Sequence, residues 1–183
     1  MADFGLLAHE HERLERLMQA LHVEHAGVAT LRAEAMTQSS ETWHDNAPAD
    51  ATLHEFGRIA AAGKNLIELA GRGLQADPDP NAHSVQIGSL ATVHIWGETV
   101  GVAVVGSPLL YDEREFTDLT PLAEIVVVGP DSPLGKSLIG QMPNAEASYS
   151  TEEGRDFSYT VLAVDNELII KSFSTKQENI VND

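Results

Sequence analysis

The chain contains no cysteine and has little aromatic and little basic content. The absence of cysteine excludes disulfides, thiolate-bound zinc and a cysteine nucleophile. Aromatic residues make up 5% of the chain, and 28 aspartates and glutamates outnumber 11 lysines and arginines, which gives a formal charge of −17. Because phosphate contacts need clustered basic side chains, we expect no direct, sequence-specific binding to nucleic acid. A protein partner with basic surfaces suits this composition better.

Long apolar runs are also missing. No stretch approaches the roughly 20 apolar residues that a membrane-spanning helix needs. The first residues, Met1-Ala2-Asp3-Phe4, lack the basic region of a secretion signal. These absences predict a cytoplasmic protein without membrane contacts, and the hydrophobic fraction of 43% is enough for a folded core.

Two helical patterns occupy the N-terminal part of the chain. Apolar residues recur at seven-residue spacing over about 6–36, and a second helical pattern covers roughly 51–74. The short polar connection 37–45 makes the two helices antiparallel neighbours. Asp45 and Asn46, followed closely by a proline, are typical of a helix start. The sequence therefore predicts a helical hairpin in which each apolar stripe covers the other.

The hydrophobic period changes after the proline-containing segment 77–81. Beyond it, short runs rich in β-branched and aromatic residues alternate with glycine and proline, and one short helix is expected around Leu134 to Ile139. The predicted fold class is α+β. The expected domains are a helical hairpin over 1–76, a linker over 77–83, an antiparallel β domain over 84–166 and a C-terminal extension over 167–183.

Two motifs that suggest chemistry do not meet its requirements. A phosphate-binding loop needs four residues between its first glycine and its Gly-Lys-Ser, and the position of that first glycine here is Pro130. The histidines His9, His11, His22 and His25 lie on the first helix among glutamates. A zinc site needs three or four ligands, so we expect these side chains to be solvated.

The bend of the hairpin carries a further candidate. Glu41 and Asp45 are four residues apart, close to the start of the second helix. Two carboxylates held there could share a hard cation such as Mg²⁺. Acidic residues also occupy turns for capping reasons alone, and both readings stay open on the residues by themselves.

The order of these parts resembles the Gre-type transcript cleavage factors, which have an N-terminal antiparallel coiled coil and a C-terminal domain similar to FKBP-type prolyl isomerases. The resemblance covers about residues 6–165. It is carried by three segments: Val85-Gln86-Ile87-Gly88-Ser89, Val104-Val105-Gly106, and Ser132-Pro133-Leu134 with Leu138-Ile139-Gly140. It implies that the C-terminal domain is FKBP-like and binds the rim of the secondary channel of bacterial RNA polymerase through Asp131, Ser132 and Pro133.

The hairpin tip departs from the family pattern. Where the family carries Asp-Leu-x-Glu-Asn-Ala, this chain has Thr42 at the Asp position and Asp45 at the Glu position, and Glu41 lies one residue away. The resemblance implies that Asp45 and Glu41 are the catalytic and metal-binding residues of the tip and share Mg²⁺ with the polymerase active site. It also implies that Asn46 contacts the partner and orients the tip, and that no cofactor is tightly bound.

Several functions are consistent with these observations. The resemblance implies a transcription elongation factor that stimulates cleavage of backtracked RNA and is not itself an enzyme, because the polymerase performs the chemistry. The altered tip makes a second reading possible, in which a Gre-like paralogue docks in the same channel and inhibits or modulates the polymerase. A prolyl isomerase or a coiled-coil adaptor are the other classes, and the former would need an aromatic-lined pocket that few residues could form.

Overall fold

The computed structural model describes residues 4–38, 47–116, 119, 122 and 124–173. The chain separates into two compact units, one formed by Met1–His11 with Arg72–Asp183 and the other by Glu12–Gly71. We call them the sheet unit and the hairpin unit. The first eleven residues and those after Gly71 thus group with the sheet, whereas the sequence-based division assigned residues 1–76 to the hairpin.

Two helices form the hairpin unit, as predicted. Helix α1 spans Ala8–Gln38 and helix α2 spans Ala47–Ala70. The ring of Phe56 lies 5.2 Å from that of His25 and 5.6 Å from the guanidinium carbon of Arg32. Arg58, further along α2, contacts Glu24, which is earlier on α1. Because the contacts advance in opposite directions along the two helices, α1 and α2 are antiparallel.

The sheet unit is built on five strands and a short helix. The strands are β1 (Leu90–Ile95), β2 (Glu98–Val104), β3 (Ile125–Val128), β4 (Glu146–Ser150) and β5 (Asp156–Asp165), and helix α3 spans Pro133–Leu138. Their order in the sheet is β3-β2-β1-β5-β4. This confirms the α+β class and the short helix expected around Leu134 to Ile139.

Strand β3 makes the sheet mixed rather than antiparallel throughout. It pairs in parallel with β2, from Gly101 opposite Ile125 to Val104 opposite Val128. The long connection between β2 and β3 carries the chain back to the end of the sheet where β2 started, which a parallel pair requires. Residues 85–87 lie outside the regular strands, although Val85 is buried.

Apolar side chains are buried on both faces of this sheet. One cluster includes Val93, Val102 and Val161 from the central strands with Leu138 from α3. The other includes Leu90, Ala103, Phe116, Ile169 and Phe173. Residues 168–173 are helical. Because Ile169 and Phe173 are buried in the second cluster, this part of the predicted C-terminal extension belongs to the core of the sheet unit.

Candidate functional site

The three sequence segments that carry the family resemblance are joined by backbone hydrogen bonds. Val85 donates its N–H to the Gln141 carbonyl and accepts one from Gly140, both at 2.8 Å. Gly88 donates to the Val104 carbonyl at 2.6 Å. Segments that are up to about 55 residues apart in the sequence therefore form one continuous piece of structure.

The loop between β3 and α3 has its conformation fixed by short side chains. Ser132 is the N-cap of α3: its Oγ accepts a hydrogen bond from the Gly135 N–H at 3.0 Å and donates one to the Gly129 carbonyl at 2.8 Å. Pro133 occupies the first helical turn, where its missing N–H costs nothing. A Cβ on Gly135 would lie 2.1 Å from the Gly129 oxygen, so only glycine fits there.

This loop presents one acidic side chain to solvent. The side chain of Asp131 is 55% exposed, whereas Ser132 and Pro133 are half-buried. A guanidinium nitrogen of Arg72 lies 4.0 Å from a carboxylate oxygen of Asp131, and another donates to the Gly106 carbonyl at 3.2 Å. Of the three residues predicted to bind a partner here, Asp131 offers an accessible charge, and the Ser132 hydroxyl is used within the fold.

The turn at Gly106 contacts a buried carboxylate, that of Glu10. Glu10 is fully buried and accepts hydrogen bonds from the N–H groups of Leu7 (2.8 Å), Gly106 (2.8 Å) and Ser107 (3.3 Å) and from the Tyr111 hydroxyl (3.1 Å). Burial raises the pKa of Glu10, and these donors offset part of that effect. Glu10 therefore joins the first turn of α1 to the turn at Gly106, whose carbonyl holds Arg72.

The expectation that His9 is solvated is wrong. His9 is buried, its ring stacks on that of Phe173 with centroids 5.6 Å apart, and its Nε2 lies 2.6 Å from the Tyr111 hydroxyl. His22 and His25, further along α1, are exposed as expected. The missed signal was local: Glu10 follows Leu7 by three residues, the spacing at which a glutamate bonds back to the N–H preceding a helix.

The predicted tip residues Glu41, Asp45 and Asn46 lie outside the described residues. Helix α2 begins at Ala47, as the sequence before Pro48 predicts. In the described part of the chain, no cluster of three or more histidine, aspartate or glutamate side chains could hold a metal ion. Among the same residues, no helix is long and apolar enough to cross a membrane.

Comparisons with known proteins returned solved structures only. No protein-family model and no curated protein sequence matches the chain. It is similar to GreA factor homolog 1 (Gfh1) of Thermus thermophilus, at 23% identity over 88% of this chain and 98% of that one, with a TM-score of 0.38. It is also similar to Gfh1 of Thermus aquaticus, at 20% identity over 90% of this chain and 99% of that one, with a TM-score of 0.39. A third similar structure is the transcription elongation factor GreA/GreB of Nitrosomonas europaea, at 16% identity over 88% of this chain and 98% of that one, with a TM-score of 0.34.

Proposed function

We propose that this chain is a transcription elongation factor of the Gre type that binds bacterial RNA polymerase at the rim of the secondary channel. The sheet unit would make the contact through the loop at Asp131, and the hairpin would enter the channel. The proposal rests on one observation: the three segments that carry the family resemblance are joined to one another by the backbone hydrogen bonds of Val85 and Gly88. Separate sequence matches need not fold into one structure, and these do.

The charge distribution supports a basic docking partner. Residues 77–183 carry 17 acidic and 5 basic side chains, so the region that contains the loop is strongly negative. Such a field steers association with a basic surface and fixes orientation more than it adds affinity. Asp131 is accessible, and the Ser132 cap holds its backbone in place. A loop held in one conformation loses little conformational entropy on binding.

The polymerase would perform the chemistry, so we propose that the chain is not an enzyme in its own right. Carboxylates suit Mg²⁺ as ligands, and in a cleavage-competent factor Asp45 and Glu41 would hold the ion shared with the polymerase active site. That ion would supply stabilisation of charge at the reacting phosphate. Asn46 would orient the tip against the partner. The function places the protein in the cytoplasm with the polymerase.

One observation favours a second candidate function. Thr42 stands where the family pattern has an acid, and Asp45 is one methylene shorter than the glutamate expected there. Metal binding depends on ligand placement within tenths of an ångström. A paralogue that docks in the same channel and inhibits or modulates the polymerase without stimulating cleavage would carry such a tip.

Docking is tested by reversing the exposed charge. We expect Asp131→Lys to weaken binding to RNA polymerase at least tenfold in a direct binding titration, because a carboxylate that faces a basic surface becomes a repelling ammonium. Asp77→Lys makes the same charge change at another exposed position of the sheet unit and should alter binding less than twofold. An equal loss of binding affinity in both variants would show that only the net charge matters. Unchanged affinity in both variants would show that the contact lies at another part of the surface.

Activity is tested on stalled, backtracked polymerase. A cleavage factor should accelerate shortening of the RNA 3′ end, and Asp45→Ala should reduce that acceleration roughly a hundredfold without weakening docking. Should the natural chain dock without stimulating cleavage, and the pair Thr42→Asp with Asp45→Glu create the activity, the chain is a modulator. Equal cleavage by the natural chain and Asp45→Ala would contradict the role given to Asp45.

A further inference from the structure

Strand β4 is an edge of the sheet. In the order β3-β2-β1-β5-β4 it pairs with β5 alone, from Glu146 opposite Thr160 to Ser150 opposite Asp156, in an unbroken register. An edge strand carries a row of backbone N–H and C=O groups that no neighbouring strand satisfies. The direction in which those groups point follows from the hydrogen bonds at the two ends of β4.

The outward groups belong to Glu146, Ser148 and Ser150. At one end the Val161 N–H donates to the Ala145 carbonyl at 2.9 Å, and at the other the Thr151 N–H donates to the Arg155 carbonyl at 2.8 Å. Bonded and non-bonded pairs alternate in an antiparallel ladder. The odd-numbered residues of β4 therefore bond to β5, and the even-numbered ones point their N–H and C=O groups away from the sheet.

Three common protections against strand addition are missing from the described part of this edge. Natural edges are blunted by proline, bulges or a covering segment. Strand β4 contains no proline, and the register shift of this sheet lies between β1 and β5, at Thr92 and Val93. The side chains of Glu146, Ser148 and Ser150 are all exposed, so no described segment covers them.

The two faces of the edge differ in chemistry. On one face the half-buried Tyr149 packs against Phe157, with ring centroids 5.5 Å apart, and Phe157 meets the exposed Trp96 edge-to-face at 6.0 Å. On the opposite face Glu146 and Ser148 line a polar cavity of about 410 Å³ on the sheet surface. An added strand would find an aromatic neighbour for alternate side chains and a polar, acidic neighbour for the others.

Acidic side chains stand at both ends of the edge. Glu146 begins β4, and the turn that follows the strand carries Glu152 and Glu153, all three exposed. Asp156 begins β5 and accepts a hydrogen bond from the Ser150 hydroxyl at 2.5 Å, and the base in this turn is Arg155. The local charge is negative, which favours a segment with basic side chains and disfavours nucleic acid.

We propose that β4 is a docking edge for an extended segment of a partner protein in which basic side chains alternate with apolar ones. The segment adds to the sheet as a strand beyond β4. Backbone hydrogen bonds to Glu146, Ser148 and Ser150 give the affinity, and the acidic ends and Tyr149 give the selectivity. A second copy of this chain is the poorer occupant, because its own β4 brings Glu146 and the chain carries a formal charge of −17. The inference does not depend on the proposed function.

The first experiment uses the full chain and a synthetic peptide of alternating lysine and valine, Ac-Lys-Val-Lys-Val-Lys-Val-Lys-NH₂. At saturating peptide, amide hydrogen exchange at Ser148 and Ser150 should slow at least tenfold, because their N–H groups become bonded. The amide of Tyr149, already bonded to β5, should change less than twofold. A block peptide of the same composition, Ac-Lys-Lys-Lys-Lys-Val-Val-Val-NH₂, controls for charge alone. Equal protection by both peptides, or none at Ser148, overturns the proposal.

The second experiment removes one outward donor. Ser148→Pro deletes an N–H that points away from β5 and places a ring on the docking side, so peptide binding should weaken at least tenfold. Ser148→Ala keeps the N–H and should bind within twofold of the natural chain. Unaltered binding by the proline variant contradicts the proposal, and so does protection of Ser148 that grows with protein concentration without peptide, which assigns the edge to a second copy. If the proline variant fails to fold, the exchange result in the natural chain decides.

Discussion

The sheet unit buries apolar side chains on both faces of its sheet, whereas the hairpin unit leaves many of its own exposed. In the hairpin, Leu14, Val28, Ile59 and Leu69 are buried. The large apolar side chains exposed along its helices are Leu17, Met18, Val23, Leu31, Met36, Leu53 and Ile67. The stability of the hairpin therefore depends more on helix propensity and on a few separate side-chain contacts. The stability of the sheet unit depends more on close packing and buried hydrogen bonds.

Four glycines, two in each unit, show the same difference. In the sheet unit a Cβ on Gly135 or Gly106 would overlap neighbouring atoms at 2.1 and 2.3 Å. In the hairpin, a Cβ on Gly27 or Gly57 would meet nothing within 4 Å. The same chemical change should thus have opposite signs in the two units, which gives the largest effect we expect.

Gly135→Ala should destabilise the sheet unit by about 3 kcal/mol, because its methyl group would collide with the backbone oxygen of Gly129 and force the N-cap of α3 to shift. Gly57→Ala should stabilise the hairpin by about 1 kcal/mol, since alanine is the better helix former at an exposed position. Amide hydrogen exchange measured separately in each unit reads both effects.

The natural chain and Gly27→Ala serve as the references for this pair. Gly27→Ala repeats the open-space substitution on α1 and should stabilise by a similar amount. A Gly135→Ala variant as stable as the natural chain would show that the loop at Ser132 can rearrange. The contrast between the units would then lose its packing basis.

Glu10 provides the next largest effect. Glu10→Ala leaves the buried N–H groups of Leu7, Gly106 and Ser107 without their acceptor, and we expect a loss of about 3 kcal/mol in the free energy of unfolding of the sheet unit. Because Glu10 fixes the turn that holds Arg72, the same variant should also weaken the proposed binding to RNA polymerase. Denaturant unfolding and the binding titration measure the two consequences.

The pH dependence at Glu10 has a defined sign. Its folded pKa is raised above the ordinary 4.5, so the stability that its protonation contributes is present below 4.5 and is lost as pH rises through the folded value. Glu10→Gln should remove that dependence from the sheet unit. Glu12→Gln, an exposed neighbour on α1, should leave it intact, and a Glu10 titration by NMR with a midpoint below 4.5 would contradict the assignment.

Local patterns in the sequence predicted most of the fold. The seven-residue spacing gave α1, the residues before Pro48 gave the start of α2, and the helix expected at 134–139 is observed at Pro133–Leu138. The parallel pairing of β3 was not predictable in this way, because it depends on where a long connection returns to the sheet. The burial of Ile169 and Phe173 depends on the same tertiary context, since a short apolar run before a polar tail looks like a fraying end.

The candidate site also combines features that depend on local sequence with features that depend on residues far away in the chain. The loop at Asp131, Ser132 and Pro133 was predicted from the family resemblance. In the structure its conformation is fixed by capping at Ser132 and close approach at Gly135, which are both local requirements. The pairing of Arg72 with Asp131 and the burial of Glu10 could not be read from the sequence, as their partners are about 60 and 100 residues away. The tip residues Glu41, Asp45 and Asn46, outside the described residues, remain a prediction.

The smallest effect concerns Arg58, which links the two helices of the hairpin. It donates from Nε and Nη2 to the Glu55 carboxylate at 3.0 and 2.8 Å and also contacts Glu24, and its hydrogen bond lowers the pKa of Glu55 below 4.5. This contribution to stability is present above 4.5 and lost as pH falls through the folded value, opposite in sign to that of Glu10. Since all three side chains are about half exposed, solvent and salt screen the effect. Arg58→Gln should return the pKa of Glu55 toward 4.5 in an NMR titration, whereas Lys64→Gln, also on α2, should not. An unchanged Glu55 titration in Arg58→Gln would mean that the pair of Arg58 with Glu55, which lies within α2, does not form in solution.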